Sequence, residues 1–270
     1  MRRLMGKADM RVTQTLASGL FIRQDFRDAV RFVFFDTGHD AWQYATHGGT
    51  MFVVRFGGSN YALTCKHVLQ DFDWRQLVVT NEKGGTKIAG LKAVFYPSQP
   101  KGAAVDSDIL DVAVVQFSDD IGSDYFNDRA YILDAGTTAT SRPGDVVHVA
   151  GALKSPSAIT DDKIAPIYCL LELADNTSSS ADPTLRSAFG KYKNPEFSDV
   201  VGLSGSPVFN VSKEALCGMV VRGGMSNDEC ILRYIDTFDI MQLLGAIEKG
   251  LTETHYKKTV IKIEAFAKTS

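Results

Sequence analysis

Short runs of β-branched and aromatic residues, separated by clusters of Gly, Asn, Asp, Ser and Pro, recur along most of the chain. Segment 50–56 and residues 61–64 flank Gly57-Gly58-Ser59-Asn60 and predict a hairpin. Residues 77–80, 88–96 and 111–117 predict further strands, with turn-rich segments 81–86 and 97–108 between them. Segment 118–143 has no strong period and predicts a connector, after which 146–153, 164–173, 208–211, 215–221 and 231–235 form a second set of strands. Between them 175–182, with Ser178-Ser179-Ser180, predicts a solvated loop. Helical spacing occurs at the two ends. Leu20, Phe21, Phe26, Val30 and Phe34 predict a short amphipathic helix running into an extended segment, and 236–249 predicts a helix ended by Gly250.

This pattern predicts an all-β protein of two antiparallel barrels or sandwiches, because many short strands with almost no intervening helix exclude an alternating parallel sheet. The expected divisions are an N-terminal extension over 1–48, a first barrel over 49–135, a second barrel with the terminal helix over 136–250, and a tail over 251–270. At 270 residues and 44% apolar content the chain can bury a sizeable core. A formal charge of −3 supplies no basic field for nucleic acid or an anionic membrane, so neither is an expected partner. No apolar run has signal-peptide or membrane-spanning length, and Cys65, Cys169, Cys217 and Cys230 lack zinc or redox spacing. Reduced thiols and a cytoplasmic location follow as expectations. His39, His47 and His148 show no metal-ligand spacing, so no metal or cofactor is expected.

The chemistry is concentrated in Asp199-Val200-Val201-Gly202-Leu203-Ser204-Gly205-Ser206-Pro207. Glycines on both sides place the Ser204 hydroxyl on a forced turn whose backbone a substrate carbonyl can approach. A serine is a weak nucleophile unless a base and a group orienting that base accompany it. Two upstream stretches supply them: Thr64-Cys65-Lys66-His67-Val68, and Asp111 directly before the apolar run Val112 to Val115. Asp108 competes with Asp111 as the acid. A triad of Ser204 with Asp236 or Asp239 and His255 follows the order of α/β-hydrolases, but Ser206 stands where their nucleophile turn needs glycine. Cys65 beside His67 has no glycine-rich turn of its own.

Together, in the order His, Asp, Ser and ending in Gly-x-Ser-Gly-x-Pro, these motifs resemble those of the trypsin-like (chymotrypsin-fold) serine peptidases over roughly residues 49–247. The resemblance implies two antiparallel six-stranded barrels with the site at their seam, and serine endopeptidase activity on a protein or peptide through an acyl-enzyme. It implies that His67 is the general base, that Asp111 orients it, and that the N–H groups of Gly202 and Ser204 form an oxyanion hole. It also implies a substrate pocket drawn from Ser198, Asp199, Val221, Arg222 and Gly223. Asp199 there favours basic substrates and Arg222 acidic or polar ones. An esterase, or an idle or partner-triggered peptide-binding module, would use the same cleft. Leu203 stands where secreted members carry the acid that receives a freed N-terminal ammonium, which implies no activation by N-terminal cleavage. Control then falls to local packing, to substrate, or to a regulatory protein partner acting on residues 1–49.

Overall fold

The computed structural model describes residues 11–12, 24–39, 43–70, 72–82, 87–99, 108–118, 125–126, 129–154, 159–160, 163–164, 166–175, 185–191, 200–226, 229–256 and 259–267. These residues are mostly β, with few helices. Local chemistry sets the register of the first hairpin. Gly57 and Gly58 both have positive φ, 56° and 93°, as a two-residue type I′ turn requires. Phe56 therefore pairs with Ser59, and Thr50–Phe56 runs in register against Ser59–Thr64 back to Phe52 opposite Leu63.

From this hairpin, pairing continues to Ala113–Phe117 and then to Leu91–Ser98. On its other side Val30–Phe32 pairs with Thr50–Phe56. The next segment, Phe34–Asp36, pairs with Leu77–Val78, and an isolated bridge joins Thr80 to Ile88. Residues 24–36 of the N-terminal extension thus enter the core: Phe26, Val30 and Phe35 are buried, and the Phe26 ring lies 4.8 Å from that of Phe209 in the second half.

The second half holds a closed six-strand barrel. Its order is Ile167–Asp175, Val146–Leu153, Pro207–Asn210, Ala215–Ser226, Glu229–Asp236 and Leu185–Lys191, the last pairing back to the first. Val147, Val149, Leu171, Val208, Val220 and Leu232 belong to its core. Leu185–Lys191 was not anticipated, because it lacks strict alternation. Its Arg186 side chain is met by Asp236 at 2.8 Å and the Ser141 carbonyl at 2.6 Å, partners remote in sequence. The helix spans Thr237–Glu248, and the Asp236 carboxylate caps it by accepting the Phe238 N–H at 2.9 Å.

Beyond the helix the chain makes a second unanticipated addition. Glu253–Tyr256 and Thr259–Ala267 form a hairpin, and Lys262–Ala267 pairs with Ser98–Ala93 of the N-terminal sheet. Among the described residues no helix is long and apolar enough to cross a membrane.

Candidate active site

His67 and Asp111 are brought together by strand register. Thr64, the last residue of Ser59–Thr64, faces Ala113, the first of Ala113–Phe117. The chain leaves the first strand through Cys65 into a four-residue helix, Lys66–Leu69, anchored by buried Val68 and Leu69. His67 therefore stands at one strand end and Asp111 at the neighbouring one. The Asp111 carboxylate accepts the His67 backbone N–H at 2.9 Å and contacts ring Nδ1 at 2.5 Å. A carboxylate facing Nδ1 favours the tautomer that carries its proton there, which turns Nε2 toward the cleft as the acceptor. The His67 side chain is 45% exposed and that of Asp111 18%. A base in this setting is oriented by a shielded acid yet open to substrate.

The Ser204 turn is shaped by its glycines. Gly202 and Gly205 have φ of 106° and 86°, and a Cβ on Gly205 would lie 1.9 Å from the Thr50 carbonyl oxygen. The turn's peptides are held from behind. Lys154 N–H donates to the Val201 carbonyl at 2.8 Å, and Ser206 N–H donates to the Leu203 carbonyl at 2.9 Å. In a trans peptide the N–H points opposite to its carbonyl, so the N–H groups of Gly202 and Ser204 are turned away from those donors. Neither meets an acceptor among the described residues. Two free N–H groups around a serine can receive a developing oxyanion.

Thr50 ties this turn to both halves. It is fully buried; its hydroxyl donates to the Gly202 carbonyl at 2.9 Å and accepts the Ala152 N–H at 2.8 Å. Its own N–H donates to the Ser204 carbonyl at 2.9 Å, and its carbonyl accepts the Thr64 hydroxyl at 2.6 Å. Leu203 is 1% exposed in the apolar core of the closed barrel. The turn is thus set by hydrogen bonds and packing already present.

A cleft of about 920 Å³ is lined by His67, Asp111, Ser204, Val221, Arg222 and Gly223. Ser198 and Asp199, expected in the substrate pocket, lie outside the described residues. The lining also includes residues not anticipated in that role, among them Lys66, Tyr96 and Asp108. Lys66 Nζ lies 5.4 Å from the centre of the Tyr96 ring, and burial pushes the Tyr96 hydroxyl up to about 12. Asp108, a competitor for the orienting position, instead meets Arg222 at 2.9 Å. The other rival triad is spent elsewhere. Asp236 caps the helix and pairs with Arg186, Asp239 is buried in the first turn of that helix, and exposed His255 sits in the terminal hairpin.

Cys65, His67 and Asp111 offer ligand atoms within 4.8 Å of one another. They do not fit one ion as they stand. Ligands on a tetrahedral zinc lie about 3.3 Å apart or more, against 2.5 Å between His67 Nδ1 and Asp111 Oδ2, which are engaged with each other. Burial also holds the Cys65 thiol well above its ordinary value, with the Asp111 charge adding to the effect. That state opposes both metal ligation and nucleophilic attack by Cys65. All four cysteines are free and buried.

No curated protein sequence matches the chain. Among solved structures it is similar to a scabies mite inactivated protease paralogue, S-I1, at 12% identity and a TM-score of 0.50, with 86% of this chain and 100% of that one covered. That likeness is one of fold, and the fold is chymotrypsin-like. Residues 49–219, more than half of the sequence, match the trypsin-like peptidase domain, and the chain belongs to that family.

Proposed function

We propose that the protein is a serine endopeptidase that cleaves a protein or peptide through Ser204, His67 and Asp111. The observation that carries this reading is the two-point hold of Asp111 on His67 within the cleft that Ser204 also lines. The Ser204 oxygen attacks the scissile carbonyl carbon and its proton passes to Nε2 of His67. Asp111 stabilises the imidazolium without taking the proton. The N–H groups of Gly202 and Ser204 receive the oxyanion. His67 then returns the proton to the leaving amine, and water, activated the same way, releases the acyl group from Ser204.

On this reading the sheet of Val30–Phe32, Thr50–Phe56, Ser59–Thr64, Ala113–Phe117 and Leu91–Ser98, with Phe34–Asp36 and Leu77–Val78 paired beside it and the Thr80–Ile88 bridge between them, is the first barrel of a double barrel, with the cleft at the seam. The buried Leu203 and the Thr50 bonds preset the turn, so activation needs no N-terminal cut. The test is labelling with a fluorophosphonate probe. Uncut protein should be labelled, and Ser204→Ala should not. His67→Ala and Asp111→Asn should each slow labelling by several orders of magnitude, and the double variant should be little worse than either, because the residues act as one unit. Wild-type protein that stays unlabelled, or that needs cutting near Gly49 to react, would sink the corresponding part of the proposal. Turnover of a quenched peptide separates an endopeptidase from an esterase.

A further inference from the structure

Arg222 and Arg233 stand directly opposite each other on the paired strands Ala215–Ser226 and Glu229–Asp236. Like charges in that position repel. The register explains how they come to face each other. Val220 pairs with Tyr234 and Arg222 with Arg233, so Val221 is an extra residue in a bulge, and a bulge re-aims the side chains beside it. The two arginines share one carboxylate from the N-terminal half. Asp108 lies 2.9 Å from Arg222 Nη2 and 3.9 Å from Arg233 Nη1. The Asp108 side chain is only 7% exposed, whereas those of Arg222 and Arg233 are 63% and 43% exposed. Two positive charges are therefore anchored on one buried negative charge, with most of the Arg222 side chain still open. Arg222 also lines the cleft that holds Ser204 and His67, immediately before Gly223.

We propose that this cluster is the specificity site of the peptidase and that it takes an acidic side chain, Asp or Glu, close to the cut bond. The proposal rests on the peptidase reading above. A second carboxylate balances the second arginine. It accepts the planar, forked donors of Arg222 that Asp108 leaves unused. Buried Asp108 holds that guanidinium in place, so little side-chain freedom is lost when substrate arrives. Of the two preferences implied by the sequence, acidic through Arg222 and basic through Asp199, this cluster favours the acidic one.

The test uses the full-length protein and quenched peptide pools in which each position flanking the cut carries Glu, Gln or Lys in turn. Wild type should cleave the Glu peptide at one position about tenfold or more faster than its Gln counterpart, and 0.5 M salt, roughly 4 Å of screening length, should shrink that preference. Arg222→Gln should reduce it to less than about twofold, with melting used to verify the fold. Arg222→Glu should reverse the preference toward Lys, a gain that misfolded protein cannot produce. Equal cleavage of Glu and Gln peptides by wild type, a wild-type preference for Lys, or an undiminished preference in Arg222→Gln would overturn this proposal alone. No cleavage of any peptide, together with no probe labelling of Ser204, would overturn the peptidase reading and this one with it.

Discussion

Replacing Thr50 by Val removes a hydroxyl and leaves the shape of the side chain almost unchanged, so its effects trace to hydrogen bonds rather than to a cavity. Two groups lose their partner: the Gly202 carbonyl, 2.9 Å from the hydroxyl, and the Ala152 N–H, 2.8 Å from it. Both residues are buried. Each stranded group costs roughly 1–3 kcal/mol, so the variant should melt several degrees lower yet stay folded. The effect on chemistry is separate. The Gly202 carbonyl is part of the turn that aims the proposed oxyanion donors, and deleting one such donor costs about 2.7–4 kcal/mol, or ~10²–10³ in kcat. Thr50→Val loosens the turn without deleting an N–H, so the expected loss is smaller, roughly 10- to 100-fold in kcat. KM should barely move, because the oxyanion exists only on the way to the transition state. Thr50→Ser keeps the hydroxyl and should restore most of the rate. The assay is the rate of fluorophosphonate labelling and of peptide turnover, measured well below the melting temperature of each variant. A Val variant that melts lower but reacts at the wild-type rate would show that Thr50 supports the fold and not the turn's geometry.

Two further outcomes follow from the structure. Gly205→Ala should abolish labelling and destabilise the protein strongly, because its Cβ would sit 1.9 Å from the Thr50 carbonyl oxygen and 2.6 Å from the Thr64 hydroxyl at a φ of 86°; Gly224→Ala, with nothing within 4 Å of the new atom, should leave melting within about 1 kcal/mol of wild type. Normal melting of Gly205→Ala would refute that packing. Thiol counting in denaturant without reductant should find four free thiols, matching four free, buried cysteines and the reducing, cytoplasmic setting proposed from them; a count of two or none would exclude both.

The sequence by itself determined those features that depend on near neighbours. Gly57-Gly58 between two β-branched and aromatic runs is a hairpin wherever it is placed, because its φ values suit few other residues. The apolar positions of the terminal helix, its Asp236 cap and the Gly250 that follows are likewise local. The order of His67, Asp111 and Ser204 motifs was legible for the same reason, each being a short stretch around one residue, and it pointed to the family that residues 49–219 match. The tertiary structure alone decided what depends on partners far along the chain. Leu185–Lys191 is a strand because barrel closure gives it neighbours on both sides, and Glu253–Tyr256 and Thr259–Ala267 form a hairpin whose second strand pairs with Leu91–Ser98. Thr50 reads as an ordinary strand residue until folding sets its hydroxyl between Ala152 and Gly202. The resemblance placed Arg222 in the substrate pocket, but its cross-strand partner Arg233 and their shared Asp108 appear only once a one-residue bulge sets the register. A side chain's role at such places is set by hydrogen-bond and charge partners across the seam, and no local pattern of residues encodes a partner contributed by the other half of the molecule.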